Sequence, residues 1–214
     1  MNHTIIPLAM NSSSNYGGYL ELIIGPMYSG KTSKLLELYK QFTFCGIKTL
    51  VINYSEDTRY SSTELSSHDK IMIPCKQAYD LFDDICNFNN NLEEKRKYKD
   101  FYDSQVILIN EGQFFSDIQD WTKCAVEKHG KSVYICGLDG DFQRQPFGKW
   151  LDLIPLCDKV TKLQSYCSQC KMKPALFSHR LSKEKTQKVI GSDSYIPLCR
   201  LCYLQLNNAN PTDK

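Results

Sequence analysis

The chain contains no apolar run that approaches the roughly 20 residues needed to span a bilayer, which argues against a membrane-spanning helix. Residues 1–7 lack a basic region followed by a long apolar stretch, so no secretory signal is expected. The formal net charge is only +2, so the strongly basic balance typical of nucleic-acid or membrane-surface binding is missing. The four histidines show no metal-ligand spacing. We therefore expect a cytoplasmic globular protein that binds neither nucleic acid nor membrane.

Cysteine, by contrast, is abundant, with ten residues in a chain of 214. Without an export signal, reduced thiols are favoured over disulfides. Two C-x-x-C motifs, Cys167/Cys170 and Cys199/Cys202, are separated by 28 residues and can close a tetrahedral thiolate cage around zinc. A redox dithiol would need only one such pair, so a structural zinc site is the preferred interpretation. The other six mostly lie in apolar surroundings and are interpreted as small buried hydrophobic residues: Cys45, Cys75, Cys86, Cys124, Cys136 and Cys157.

The stretch Gly25-Pro26-Met27-Tyr28-Ser29-Gly30-Lys31-Thr32 matches the phosphate-binding loop G-x-x-x-x-G-K-[ST]. An apolar strand-like run precedes it and a helix-like run follows it, which is the context that this loop requires. Lys31 would reach the outer phosphates, and the Thr32 hydroxyl would bind Mg²⁺. The sequence therefore predicts binding of a nucleoside triphosphate.

Strand and helix signals alternate through most of the chain. Apolar runs predict strands at 19–24, 49–52, 106–109 and 133–136, and helical spacing predicts helices at 33–45 and 118–128. Weaker signals predict strands at 70–75 and 160–163 and a helix around 79–86. Continuous apolar runs suit strands buried on both faces, so we predict an α/β fold with a parallel sheet flanked by helices. The predicted organisation is a flexible arm at 1–18, a P-loop α/β domain at 19–163, a zinc-binding domain at 164–206 and a polar tail at 207–214.

Polar side chains follow the predicted strands at the edge where a ligand is expected. Glu111 comes directly after the most apolar strand and is the candidate general base, although it can instead be a helix cap. Asp57 and Arg59 follow the second strand and are candidates for Mg²⁺ and phosphate binding. An exposed surface pair is the alternative for these two residues.

Aromatic residues near this edge suggest a pocket for a flat heterocycle. Phe114, Phe142 and Phe147, with Met27, can stack on a base, and packing in the protein core is the alternative. The segment Lys188–Tyr195 lies between the two cysteine pairs and can fold over a ligand as a lid. Tyr195 would close the pocket, or would fill the core of the small domain.

These segments together resemble the type II thymidine kinases, which are the cellular and poxvirus-like deoxynucleoside kinases. The resemblance runs from about Leu20 to Tyr203 and rests on GPMYSGKT, EDTRY, EGQFF, LDGDFQRQPF, VIGSDSY and the paired C-x-x-C motifs. It implies a P-loop α/β domain with a small zinc-binding domain that carries a lasso-like lid. It also implies transfer of the γ-phosphate of ATP to the 5′-hydroxyl of thymidine, with deoxyuridine as a second substrate.

The resemblance also implies roles for individual residues. Glu111 would be the catalytic base, and the positions that match ATP-binding residues are Gly25, Pro26, Met27, Tyr28, Ser29, Gly30, Lys31, Thr32, Asp57, Thr58, Arg59, Asn110 and Gln113. The positions that match the thymidine site are Met27, Phe114, Leu138, Phe142, Phe147, Val189, Ile190, Gly191 and Tyr195. Cys167, Cys170, Cys199 and Cys202 would bind structural zinc. A homotetramer inhibited by the end product dTTP is implied as well.

The chain departs from the family pattern at three places. Asn110 stands where the family usually has Asp, which predicts weaker handling of Mg²⁺, with Asp57 and Asp141 as candidate compensators. The lid is one residue shorter than the usual double-glycine version, and the connection at 87–104 is enlarged. Asn110 keeps open an alternative function, a nucleotide-binding module without useful turnover whose zinc domain contacts a partner.

Overall fold

A six-stranded sheet forms the centre of the fold. The computed structural model describes residues 17–56, 64–66, 72–89, 91–182, 184–188 and 194–208. In chain order the elements are β1 (Tyr19–Ile24), α1 (Lys31–Phe44), β2 (Thr49–Tyr54), β3 (Glu64–Ser66), β4 (Met72–Pro74), β5 (Lys76–Ala78), α2 (Leu81–Asp84), α3 (Leu92–Lys97), α4 (Lys99–Asp103), β6 (Val106–Ile109), α5 (Ile118–Lys123), β7 (Ser132–Gly137), β8 (Lys159–Lys162), β9 (Ser165–Tyr166), β10 (Pro174–Ala175), β11 (Phe177–Arg180), β12 (Tyr195–Leu198) and α6 (Arg200–Asn208).

The strand order in the sheet is β5-β2-β6-β7-β1-β8. All five pairs of neighbouring strands are parallel, which confirms the predicted α/β fold. The carboxyl ends of β1, β2, β6 and β7 consequently meet at one edge of the sheet, where parallel α/β proteins bind their ligands.

Both faces of the sheet are covered, and this explains the uninterrupted apolar runs in its central strands. Successive side chains of a strand point to opposite faces. On one face, Ile52 and Ile107 pack in a cluster that includes Trp121 and Trp150. On the other face, Leu108 belongs to a second cluster that contains the apolar side of α1. Among the described residues, no helix is both long enough and apolar enough to cross a membrane.

The strongest predicted elements are confirmed, and so is the weaker strand at 160–163, which is β8. Other short elements were missed or misjudged. The predicted strand at 70–75 is β4, which pairs with β3 in an antiparallel hairpin that the sequence did not indicate. Around 79–86 the helix α2 has only four residues. The predicted helix at 118–128 is α5 followed by a π-helical turn over 124–128. Residues 150–156 form a 3₁₀-helix that was not predicted, because Pro155 interrupts the helical pattern.

The prediction that the six scattered cysteines are buried is largely wrong. Cys86 and Cys136 are buried, whereas Cys75, Cys124 and Cys157 are partly exposed and Cys45 is exposed. Cys45 follows the last turn of α1, where the chain turns towards β2, so its side chain remains outside the core. Neighbouring apolar residues in the sequence did not guarantee burial.

Two antiparallel hairpins and a helix follow the sheet. They are β9–β10, β11–β12 and α6, and they enclose a small core of their own around Leu198 and Tyr203. This segment contacts the edge of the sheet that is expected to bind ligands. The backbone N–H of Met27 donates to the Ser178 hydroxyl at 2.9 Å, and the Tyr203 hydroxyl donates to the Phe142 carbonyl at 2.6 Å.

Candidate active site

The predicted phosphate loop connects β1 to the amino end of α1. Gly25 has φ +154°, and a side-chain Cβ there would lie 2.6 Å from the Leu163 carbonyl oxygen, so only glycine fits. Gly30 has φ +82°, in the left-handed region, and Lys31 begins the helix. The unpaired N–H groups at the start of a helix and its partial positive charge favour an anion at this point. The Lys31 ammonium folds back over the loop and donates to the Pro26 carbonyl at 2.7 Å.

A row of polar side chains joins this loop to the ends of β6 and β2. The Thr32 hydroxyl lies 3.4 Å from Asn110 Oδ1 and donates to it. Asn110 Nδ2 donates to Asn53 Oδ1 at 2.9 Å, and Asn53 Nδ2 donates to Gln77 Oε1 at 3.3 Å. Asn110 and Asn53 are 2% and 3% exposed, so these amides are buried behind the loop. The oxygen donors of Thr32 and Asn110 are of the type that Mg²⁺ prefers, so this part of the site suits the metal.

Glu111 follows β6 and has a strained backbone. Its φ of +56° and ψ of +40° place it in the left-handed region, which costs a residue other than glycine about 1–3 kcal/mol. Gln113 Nε2 donates to Glu111 Oε2 at 2.6 Å, while Gln113 Oε1 accepts from the Leu138 N–H at 3.0 Å. Gln113, which was predicted to bind ATP, thus connects Glu111 to the end of β7. Its amide would collide with any Cβ at Gly137, at 2.7 Å.

The predicted aromatic residues of the base pocket divide into buried and partly exposed ones. Phe147 is buried, and its ring lies edge-on to the Phe114 ring with centroids 5.7 Å apart. Phe114 and Leu138 are partly exposed where they pack against the same core. Tyr54, which the sequence did not single out, lies 5.4 Å from Phe114. Phe147 therefore fits the core alternative, and Phe114 and Leu138 present surface at the strand edge.

Lys188 connects the start of the predicted lid to this aromatic surface. Its ammonium lies 4.4 Å from the Tyr54 ring centroid and 5.0 Å from that of Phe114. It also donates to the Tyr54 hydroxyl at 3.1 Å and pairs with Glu56. Burial opposes the charge, but the hydrogen bonds with Glu56 and Tyr54 raise the pKa of Lys188 above its usual value. The charged lysine thus holds one end of the lid against the sheet.

Arg180 is a buried cation that sequence reasoning missed. Its guanidinium is held by the carbonyl oxygens of residues 184, 186 and 187 and by the Tyr195 hydroxyl, which accepts from Nη2 at 2.6 Å. It also lies 3.8 Å above the centroid of the Phe142 ring. Arg180 therefore organises residues 184–187, which precede the predicted lid, holds Tyr195 at the end of the lid, and joins both to the 138–147 loop. No sequence pattern indicated this role, because the position of Arg180 opposite Tyr195 follows only from the pairing of β11 with β12.

Arg180→Lys is expected to lower the free energy of unfolding by about 1–3 kcal/mol, because an ammonium cannot reach three carbonyls and a hydroxyl at once. Chemical denaturation measures the effect. Arg200→Lys is the matched control, since Arg200 is exposed and its guanidinium lies 5.1 Å from the Phe177 ring. The control is expected to change stability by no more than about 0.5 kcal/mol. Equal losses in both variants would contradict the assigned role of Arg180.

Asp141, the second candidate compensator, is already occupied by contacts within the protein. Its Oδ1 accepts from the N–H groups of Gln143 and Gln145, both at 2.8 Å, and its Oδ2 accepts from Gln187 Nε2 at 2.9 Å. Asp141 therefore holds the turn at 141–145 together and binds Gln187, the residue just before the predicted lid. Several predicted site residues lie outside the described residues: Asp57, Thr58, Arg59, Val189, Ile190 and Gly191.

The four paired cysteines converge in the small C-terminal segment. The sulfur atoms of Cys167, Cys170, Cys199 and Cys202 all lie within 4.8 Å of one another. Burial raises the pKa of the Cys167 thiol, but backbone N–H groups outweigh it and lower that pKa to about 6, whereas burial and the neighbouring cysteines raise the pKa of Cys202 to about 12. A bound cation would favour the thiolate at all four positions. Four thiolates at this spacing suit a closed tetrahedral zinc site.

Comparison with known proteins gives a consistent result over nearly the whole chain. A family model described as "Thymidine kinase" matches residues 18–203. The chain is 37% identical over 209 residues to the cytosolic thymidine kinase of Homo sapiens, covering 97% of this chain and 81% of that protein. It is 40% identical over 189 residues to a thymidine kinase of Variola virus, covering 88% and 98%. It is 39% identical over 189 residues to a thymidine kinase of Myxoma virus, covering 88% of this chain and 97% of that protein. The segment matched by the family model contains both the phosphate loop and the four clustered cysteines.

Proposed function

The chain belongs to the thymidine kinase family, and on that premise we propose that it transfers the γ-phosphoryl group of ATP to the 5′-hydroxyl of thymidine. The observation that carries the proposal is the contact between Thr32 and Asn110. This contact places the strand end that bears Glu111 beside the phosphate loop, which is where an acceptor hydroxyl must meet the terminal phosphate.

The phosphate loop would bind ATP through residues 25–32. Its backbone N–H groups would hold the phosphate oxygens, and Lys31 would leave the Pro26 carbonyl to bind the outer phosphates. The Thr32 hydroxyl and the Asn110 amide oxygen would hold Mg²⁺, which when bound neutralises charge on the transferred group. Asp57, Thr58 and Arg59 are proposed to complete the phosphate side.

Glu111 would orient the 5′-hydroxyl and accept its proton as the oxygen approaches the phosphorus. The hydrogen bond from Gln113 Nε2 to Glu111 Oε2 would hold the carboxylate in position for this proton transfer. The next residue, Gly112, packs closely against β7, since a Cβ there would lie 2.4 Å from the Ile135 side chain. This packing would hold the strained backbone of Glu111. Gln113 would thus also position the base.

The base of the nucleoside would lie between the sheet edge and the lid. Phe114, Leu138 and Met27 would contribute the apolar wall, and Phe142 and Phe147 would support it. The main chain at Val189, Ile190 and Gly191 would pair with the edge of thymine, and Tyr195 with Arg180 would hold that segment in place. A site that encloses the reacting groups in this way excludes water, which would otherwise compete as the phosphoryl acceptor.

The remaining assignments concern the whole protein. The four clustered cysteines would bind one structural zinc ion, because a closed four-thiolate site leaves no position for substrate. We also propose that the protein is cytosolic and forms a homotetramer. We propose further that dTTP inhibits it by occupying the substrate site. The Asn110 side-chain oxygen lies 3.4 Å from the Thr32 hydroxyl, which weakens the alternative of a nucleotide-binding module without turnover.

A panel of four deoxynucleosides with ATP and Mg²⁺, followed by ADP release, tests the proposal. Thymidine is expected to give the highest kcat/KM. Deoxyuridine lacks only the base methyl group, which a pocket typically discriminates by about 10–200-fold, so it is expected to be the second substrate. Purine deoxynucleosides are expected to give no measurable release. ADP release that does not depend on any nucleoside would contradict the proposed function.

A further inference from the structure

Asn53 is a buried polar residue between apolar neighbours on β2, and neither the phosphate loop nor the base pocket accounts for it. It lies in β2 between Ile52 and Tyr54, which both belong to the hydrophobic core. Its side chain has two hydrogen bonds, one from Asn110 Nδ2 at 2.9 Å and one to Gln77 Oε1 at 3.3 Å. Buried amides are retained in cores when their hydrogen bonds serve a defined purpose, because an unpaired one is costly.

The direction of each hydrogen bond in this row follows from Thr32. When the Thr32 oxygen is bound to a cation, its proton can only be donated, so the group facing it must be an acceptor. Asn110 therefore has to present Oδ1 and not Nδ2. An amide that turns its oxygen one way turns its NH₂ group the other way, and that group is buried beside β2, where Asn53 Oδ1 is the acceptor at hydrogen-bond distance.

Without this acceptor, the hydrogen bond that holds the Asn110 amide in its orientation would be lost. A buried NH₂ group without a partner costs about 1–3 kcal/mol, which is comparable with the energy of the Thr32 contact that the correct orientation provides. The amide would then rotate and place Nδ2 towards Thr32 and the cation. An NH₂ group carries partial positive charge and cannot bind Mg²⁺ or the waters that surround it.

We infer that Asn53 is a positioning residue that fixes the Asn110 amide so that its oxygen faces Thr32 and the Mg²⁺ that accompanies ATP. The inference rests on the proposed function, since it concerns the same nucleotide site. It explains how a neutral residue at position 110 can present an oxygen atom to the cation. Two uncharged amides in series, Asn110 and Asn53, hold the orientation that a carboxylate at position 110 would not need, because both carboxylate oxygens are acceptors.

The experiment measures how strongly Mg²⁺ couples to nucleotide binding, without any phosphoryl transfer. Isothermal titration of a non-hydrolysable ATP analogue is done in Mg²⁺ and in EDTA, and the ratio of the two Kd values gives the coupling. Asn53→Leu removes the acceptor at similar volume and is expected to reduce this ratio by about 5- to 100-fold, with the Kd in EDTA unchanged within about 2-fold. Asn53→Asp keeps an acceptor for Asn110 Nδ2, and a rotated Gln77 amide can donate to the other carboxylate oxygen, so this variant is expected to retain most of the coupling.

The controls separate positioning from a loss of structure. Thr49→Val changes a polar residue at the opposite end of β2, where its hydroxyl donates to the Ile47 carbonyl, and it is expected to leave the coupling unchanged. If Asn53→Leu does not fold, Asn53→Ala provides the same test.

In steady-state assays, the Mg²⁺ concentration for half-maximal rate is expected to rise while the KM for thymidine stays constant. Wild-type coupling in Asn53→Leu or Asn53→Ala, or equal loss in Asn53→Asp, would overturn the inference. A protein that couples Mg²⁺ to nucleotide as described but does not phosphorylate thymidine would overturn the proposed function alone.

Discussion

Glu111→Gln is expected to lower kcat for thymidine phosphorylation by about 10²–10⁴-fold, which is the usual contribution of a general base. The amide has nearly the same shape as the carboxylate and can still contact Gln113, but it cannot accept the proton of the 5′-hydroxyl. The KM for ATP is expected to change little, because the phosphate loop and the contact between Thr32 and Asn110 remain. Steady-state kinetics with separate titration of each substrate provides the measurement.

The control for this substitution is Glu37→Gln on α1. Glu37 is an exposed glutamate that pairs with Lys34 at 2.9 Å, and exposed pairs of this kind contribute little to stability. It is expected to leave kcat within about 2-fold. If Glu111→Gln retained more than about a tenth of the wild-type kcat, Glu111 would not be the base, and its strained conformation would need another explanation.

The fold was predictable where the sequence pattern is long and uniform. The runs at 19–24 and 106–109 form central strands because both faces of the sheet are covered, and burial on both sides requires apolar residues at every position. The hairpin β3–β4 and the strand β5 have only three residues each, so their pattern is too short to carry a period. Strands of this length are fixed by their partners rather than by their own composition.

Within the candidate site, the residues that a sequence motif names were predictable and those that support them were not. Lys31, Thr32 and Glu111 follow from the motif and from the position of a strand end. Asn53 and Arg180 act through contacts across the fold, with partners 57 and 15 residues away in the chain. Their roles depend on pairings of strands and loops, which a residue type alone does not specify.

Cys199→Ser is expected to destabilise the whole C-terminal segment, because one zinc ion would hold that segment together. Cys199 lies between the end of β12 and the start of α6, and with Cys167 and Cys202 it forms most of the small core. Cys199→Ser replaces a thiolate ligand by a hydroxyl that binds zinc poorly. Loss of a structural metal typically costs more than about 4 kcal/mol, which corresponds to a fall in Tm of roughly 8–16 °C for a chain of this size.

Activity is expected to fall together with stability, because the same segment supports the site. The Met27 N–H in the phosphate loop donates to the Ser178 hydroxyl, and Arg180 on the same strand holds Glu184 and Tyr195, one before and one at the end of the predicted lid. Elemental analysis is expected to find one zinc per chain in the wild type and much less than one in Cys199→Ser, with thermal melting recorded on the same samples. Cys45→Ser is the control, since Cys45 is exposed and outside the cluster.

A Cys199→Ser protein with full zinc content and an unchanged Tm would show that the four sulfurs do not hold the metal. If zinc and stability were lost while kcat stayed constant, the C-terminal segment would not be what positions the phosphate loop and the lid.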